Sequence, residues 1–137
     1  MRLLSRLLAV CLLAAGLGAC GTETTDGTAA IKVTLGSPLV AGEIVVPRGV
    51  DRPPAVVMLS GAGPNDLDET VGETAPLRDL AYGLAARGIA SLRFDKPTRN
   101  GAPTATFTPT DEYVDYALAG FDLLASSNLV DANRIFV

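Results

Sequence analysis

The chain has 137 residues, with 11 Lys and Arg, 15 Asp and Glu and no His, so its formal net charge at pH 7 is −4. Nucleic-acid binding normally depends on clustered basic residues, and no such cluster is present, so we expect no nucleic-acid partner. The lack of His excludes His-based catalytic dyads and most zinc sites within these residues. We predict that the chain binds no metal and no cofactor.

The first 19 residues have the pattern of an export signal. Arg2 and Arg6 precede an almost purely apolar run over 7–16, which is shorter than the roughly 20 residues that span a bilayer. The exit at 17–20 is Leu-Gly-Ala-Cys and resembles the lipobox of bacterial lipoproteins. This resemblance implies that Cys20 is lipidated and anchors the exported protein to the cell envelope, on its periplasmic or extracellular face. The alternatives are ordinary cleavage that leaves Cys20 unmodified, or an N-terminal membrane helix.

The rest of the chain divides into a short linker and one domain. Residues 20–30 are small and polar, which predicts a flexible tether, and 31–137 predict a folded α/β domain. Alternation predicts a strand at 31–35, and a second short strand at 43–46 is expected to pair with it in antiparallel fashion. The run at 55–59 is continuously apolar, which indicates a strand buried on both faces, as in a parallel sheet.

Strands and helices alternate after residue 55. Pro76 opens a predicted helix with Leu80 on its apolar stripe. Three further elements follow: a strand at 89–94, a helix that begins after a capping-box pattern at 108–111 and carries Leu118 on its apolar face, and a strand at 134–137. The order β-β-β-α-β-α-β predicts a mostly parallel sheet with an antiparallel N-terminal hairpin.

The most informative stretch is 60–63, Ser-Gly-Ala-Gly, which directly follows the strand at 55–59. Glycine permits backbone conformations and close approaches that a Cβ blocks, so Gly61 and Gly63 predict a sharp turn. At the carboxyl end of a strand, such a turn can direct a backbone N–H at a substrate oxygen. The alternative is a plain tight turn. The glycines lack the remaining residues of dinucleotide-binding and P-loop motifs, so we exclude nucleotide binding.

Two charged clusters follow this turn in the sequence. The loop 65–73 is acidic, and we predict that it is solvated near a substrate entrance, with a calcium site as the weaker alternative. Residues 93–99 carry Arg93, Asp95, Lys96 and Arg99 after a predicted strand. They could border a substrate pocket or form a local set of ion pairs, and the sequence leaves both open.

Taken together, the segments 59–64, 66–69, 77–81 and 92–96 resemble the N-terminal half of an α/β-hydrolase. The resemblance covers roughly 31–137 and is strongest to the branch that contains dienelactone hydrolases, serine aminopeptidases and acyl-thioester hydrolases. It implies that Ala62, flanked by Gly61 and Gly63, supplies one backbone N–H of an oxyanion hole. It also implies a small acyl ester, thioester or peptide as substrate.

The same resemblance implies that the catalytic triad is absent from this chain. Ser60 lacks the preceding Gly of a nucleophile elbow, and in the family the Ser nucleophile, the acid and the His would follow Val137. We therefore expect a hydrolase truncated after the fifth strand, inactive by itself. The alternative is a non-catalytic, lipid-tethered α/β binding module.

Overall fold

The computed structural model describes residues 22–23, 27–101 and 104–137. The predicted export signal and Cys20 lie outside the described residues. Within the described ranges, no helix combines the length and the apolar character needed to cross a bilayer.

The described residues form a six-stranded sheet in the order β1-β2-β3-β5-β4-β6. Its strands are β1 Thr22–Glu23, β2 Thr28–Leu35, β3 Val40–Pro47, β4 Ala55–Val57, β5 Ala90–Phe94 and β6 Ile135–Phe136. Pairing is antiparallel from β1 through β2 and β3 to β5, and it is parallel between β5 and β4 and between β4 and β6. The predicted α/β fold with an antiparallel N-terminal hairpin is therefore confirmed. The described sheet is mixed and not mostly parallel, because only β5, β4 and β6 pair in parallel and the hairpin adds its strands in antiparallel fashion.

Strand β2 begins at Thr28, three residues before the predicted start. Thr28 pairs with Pro47, at the far end of β3, and its carbonyl oxygen accepts a hydrogen bond of 2.9 Å from Arg48 Nε. The sequence pattern assigns residues 28–30 to the tether, because the segment 20–30 is small and polar. They belong to the sheet because β3 is long enough to supply backbone partners for them.

Helices α1 Pro76–Ala85 and α2 Asp115–Ser126 cover opposite faces of the sheet. Ile44 packs in the core cluster that contains α2 side chains, and its neighbour Val45 packs in the cluster that contains α1 side chains. Because successive side chains of a strand point to opposite faces, these two clusters lie on the two sides of β3. A 3₁₀ turn at Pro97–Asn100 and a π-helical turn at Thr110–Val114 lie between β5 and α2.

Small residues form the helix surfaces that lie closest to the sheet. Ala81 and Ala85 are the buried residues of α1, whereas Leu80 is half exposed. On α2, a Cβ at Gly120 would lie 3.0 Å from Leu92 Cδ2, and Leu118 is largely exposed. The predicted positions of Leu80 and Leu118 in the core were wrong, because close packing of helix on sheet favours the small residues beside them.

The hairpin between β2 and β3 packs against α2 through Tyr116. The Tyr116 side chain is 2% exposed, its hydroxyl donates a 2.6 Å hydrogen bond to Pro38 O, and its ring stacks with Phe94 at a centroid distance of 6.1 Å. A Cβ at Gly36 would overlap the ring of Tyr116. Gly36 is therefore required both by its φ of +79° and by the tyrosine ring.

We predict that Gly36→Ala destabilises the protein more than Gly49→Ala. Both glycines have a positive φ, near +79° and +77°, but a Cβ at Gly49 would meet no atom within 4 Å. The backbone conformation alone should cost about 1–2 kcal/mol in each variant, and the clash with Tyr116 should add about 1–3 kcal/mol in Gly36→Ala. Urea-induced unfolding measures both losses, and equal losses would contradict the packing of Tyr116 against the hairpin.

Candidate active site

The Gly61–Gly63 turn lies at the carboxyl end of β4, where the sequence places it. After β4, Met58 N–H still donates to Leu92 O at 2.8 Å, and the chain leaves the sheet at Ser60, whose side chain is buried. Strand β4 lies between β5 and β6. The turn therefore emerges from the parallel part of the sheet, where α/β proteins bind their ligands.

The two glycines of the turn have different structural roles. Gly63 has a φ of +106°, which favours glycine. Gly61 has no such dihedral, but a Cβ there would lie 2.9 Å from Glu69 Oε1. Gly63 thus provides the conformational freedom and Gly61 provides room for a neighbouring carboxylate.

The backbone amides of the turn are not equivalent. Gly61 N–H donates to Glu69 Oε1 at 2.8 Å, whereas the N–H groups of Ala62 and Gly63 have no hydrogen-bond partner among the described residues. The carbonyl oxygens of Gly61 and Ala62 accept hydrogen bonds from Asn65 Nδ2 at 3.1 and 3.3 Å. Ala62 is also an exposed residue, and its unpaired N–H lies in the turn that follows β4.

The acidic loop that follows the turn has a defined hydrogen-bonded structure. Asp66 Oδ1 accepts from Thr70 N–H at 2.8 Å, and Asp66 O accepts from Glu69 N–H at 3.0 Å. Partial burial raises the pKa of the Asp66 carboxyl, but hydrogen bonds from Thr70 and the charge of Arg99 outweigh it, so the pKa lies below its usual range. Over the part of the chain that the structure describes, no group of three or more Asp, Glu, His or Cys residues is arranged as a metal site.

Arg93 connects this loop to the sheet. It lies on β5 with its side chain 2% exposed, and its Nη2 and Nε donate to Glu43 Oε1 on β3 at 2.6 Å and to Asp68 Oδ1 in the loop at 2.8 Å. Asp68 O in turn accepts from Leu77 N–H in the first turn of α1 at 3.2 Å. The pairing of Arg93 with Glu43 joins residues 50 positions apart, and local sequence reasoning did not find it.

The residues that follow β5 bind the backbone of the same loop. Asp95 Oδ1 accepts from Leu67 N–H at 2.7 Å, and Lys96 N–H donates to Asn65 O at 3.0 Å. Arg99 lies 3.7 Å from Asp95 Oδ2 and 3.8 Å from Asp66 Oδ2. Of the two interpretations of residues 93–99, the local set of ion pairs is what these contacts form.

Lys96 is the second buried cation of this region. Its side chain is 2% exposed, with Nζ 3.4 Å from Glu112 Oε1 and 3.1 Å from the centroid of the Tyr113 ring. Glu112 and Tyr113 belong to the π-helical turn before α2. Thr98 Oγ1 lies within hydrogen-bond distance of both Glu112 Oε1, at 3.3 Å, and Gly63 O, at 3.4 Å. These contacts join the start of α2 to the turn.

Thr98, which contacts Gly63 O, also lines a cavity of about 420 Å³. Its wall is formed by the β2–β3 hairpin, the loop after β5 and the start of α2: Ser37, Pro38, Pro97, Thr98, Asn100, Gly101, Thr104, Phe107, Asp111, Asp115 and Tyr116. A cavity of this size can accept a small organic group. None of the residues 37, 38, 104 or 107 had been predicted to lie near the site, because they come from segments distant in sequence.

We predict that Arg93→Ala destabilises the protein far more than Arg78→Ala. Removal of Arg93 leaves two carboxylates without their buried partner, which should cost about 3 kcal/mol, the lower end of the range for a broken buried pair, since water reaches part of each carboxylate. Arg78 pairs with Asp79 at the surface at 3.5 Å and should contribute less than about 1 kcal/mol. Chemical denaturation of both variants measures the difference, and similar losses would show that the Arg93 pairs do not stabilise the loop.

Comparison with known proteins finds a relative of this chain by sequence. No protein-family model matches the chain. Esterase EstD of Thermotoga maritima is 40% identical over 98 residues, which are 70% of this chain and 23% of that protein. The chain therefore spans less than a quarter of the length of this curated relative.

Solved structures of several enzymes share the fold. Esterase Est22 matches with a TM-score of 0.59 and 19% identity, over 80% of this chain and 34% of that chain. The dienelactone hydrolase-like promiscuous phosphotriesterase P91, from metagenomic libraries, matches with a TM-score of 0.52 and 22% identity, over 80% of this chain and 48% of that chain. The chain therefore has an α/β-hydrolase fold over the part that it shares with these enzymes.

Proposed function

We propose that this chain is the N-terminal part of a serine esterase, in which Ala62 N–H stabilises the oxyanion formed during attack on an acyl ester. The observation that carries the proposal is the unpaired amide of the exposed residue Ala62, in the turn that follows β4. A carbonyl oxygen gains negative charge when a nucleophile adds to its carbon, and a preorganised N–H stabilises that charge. The esterase relative supports an ester as the substrate.

The nucleophile, the acid and the His are proposed to lie outside these 137 residues. The sequence contains no His, and Ser60 Oγ is buried without a hydrogen-bond partner among the described residues, so no base activates it. Strand β6 is parallel to β4 and adjacent to it. In a complete protein, residues that follow β6 would leave the sheet at the same edge as the Gly61–Gly63 turn, within reach of the Ala62 amide.

The size and lining of the cavity that contains Thr98 support the proposal that the substrate is small. Its wall contains Pro38, Pro97 and Phe107, and its charged residues are the carboxylates Asp111 and Asp115. A neutral acyl or alcohol group suits such a wall, whereas an anionic group would face two negative charges. Esters are the leading substrate class, and thioesters and peptides share the same tetrahedral chemistry. The alternative of a non-catalytic binding module is not favoured, because the curated relative is an esterase.

We predict that the complete gene product hydrolyses p-nitrophenyl acetate and that Ala62→Pro lowers kcat by about 100-fold or more, because proline has no N–H to donate. Ala62→Ser is the matched control, since it changes the side chain and keeps the amide; its kcat should stay within about threefold of the wild type. Circular dichroism would establish that both variants fold. Unchanged turnover in a folded Ala62→Pro variant would refute the role of this amide.

We also propose that the protein is exported and lipid-anchored through Cys20. The sequence contains two Cys, at positions 11 and 20, so Cys11 provides a matched control inside the export signal. Metabolic labelling with a palmitate analogue should label the wild type and Cys11→Ser but not Cys20→Ser, and Cys20→Ser should lose its membrane association. Labelling of Cys20→Ser at the wild-type level would exclude this anchor.

A further inference from the structure

We infer that Glu69 is a positioning residue for the oxyanion turn: its carboxylate binds Gly61 N–H and fixes the turn that carries the unpaired Ala62 N–H. The inference rests on the proposed function of Ala62. The Gly61 N to Glu69 Oε1 distance is 2.8 Å, and the glycine at position 61 leaves the space that this carboxylate occupies. The contact spans eight residues, so it closes the loop 61–69 back onto its own beginning.

The backbone at Glu69 has an unfavourable conformation. Glu69 has a φ of 53°, in the left-handed region, which is unfavourable for a residue with a Cβ and persists only where the surroundings enforce it. Both chain neighbours of Glu69 are fixed: Asp68 pairs with the buried Arg93 at 2.8 Å, and Thr70 N–H donates to Asp66 Oδ1 at 2.8 Å. These contacts aim the Glu69 side chain at the turn.

This arrangement excludes one amide of the turn from binding the substrate. Gly61 N–H is engaged by Glu69 and is not available to an oxyanion, whereas Ala62 N–H has no partner in the described part of the chain. The hydrogen bond needs an acceptor at Glu69 but does not need a negative charge. A neutral acceptor should therefore position the turn equally well. It would also remove the repulsion between a carboxylate and the forming oxyanion.

The test compares Glu69→Ala with Glu69→Gln in the complete gene product, with p-nitrophenyl acetate as substrate. Glu69→Ala should lower kcat by about 10-fold to 100-fold with KM within about twofold, since a misplaced donor weakens the transition state more than substrate binding. Glu69→Gln keeps an acceptor oxygen and should retain wild-type kcat or exceed it. Wild-type kcat in Glu69→Ala, or equal losses in both variants, would overturn the inference.

Glu73→Ala is the matched control. Glu73 lies in the same loop, is exposed and has no hydrogen bond or ion pair among the described residues, so its removal deletes one loop charge without deleting a contact. Its kcat and KM should equal those of the wild type. A loss of kcat in Glu73→Ala as large as in Glu69→Ala would show that loop charge matters, and not the bond to Gly61.

Amide hydrogen exchange at Gly61 tests the contact without any turnover. Exchange should be faster by about tenfold or more in Glu69→Ala than in Glu69→Gln or Glu73→Ala, because only Glu69→Ala leaves this N–H free to open to water. Unchanged exchange in Glu69→Ala would overturn the positioning role even if the protein is an esterase. A wild type that folds, shows slow Gly61 exchange and hydrolyses no ester would instead overturn the proposed function.

Discussion

The buried guanidinium of Arg93 is the constraint on which the structure around the turn depends, because it joins three segments of the chain. A charge removed from water requires ionic partners, and Arg93 on β5 finds them in Glu43 on β3 and Asp68 in the loop after β4. The first pair joins adjacent strands of the sheet. The second pair requires the loop to return over β5 instead of extending into solvent, and this return brings the acidic residues next to the Gly61–Gly63 turn.

Contacts between backbone and side chains then extend this constraint to the turn itself. Asp95 and Lys96, which directly follow β5, bind the backbone of residues 67 and 65, and Glu69 binds Gly61 N–H. A donor that is fixed before the reaction need not be reoriented during it, which is the physical basis of oxyanion stabilisation. These polar contacts hold a turn in which the N–H groups of Ala62 and Gly63 have no hydrogen-bond partner among the described residues.

The second buried cation, Lys96, holds the start of α2 beside the loop that follows β5. Its contacts with Glu112 and Tyr113 locate the π-helical turn at the start of α2, and Thr98 reaches from the cavity wall to Gly63 O. Insertions of π-helical geometry often occur at functional sites, where they redirect side chains that a regular helix would point elsewhere. The π-helical turn therefore contributes Asp111 to the cavity wall, and it reaches the Gly61–Gly63 turn through Thr98, which lies near both Glu112 Oε1 and Gly63 O.

Local patterns in the sequence determined most of the elements and the place of the turn. Apolar alternation, helix stop signals and the Ser-Gly-Ala-Gly sequence act over a few residues, so they predicted the strand–helix order, the sharp turn after β4 and the acidic loop. Tertiary structure decided what depends on contacts between distant segments. Pairing with β3 extends β2 to Thr28. Alanine and glycine make the closest helix–sheet contacts, and the absence of a Cβ at Gly61 leaves room for Glu69. Arg93 pairs with Glu43, and Glu69 binds Gly61 N–H and leaves Ala62 N–H unpaired, through side chains that meet only once the chain has folded. No local pattern in the sequence records which distant acceptor a donor will find.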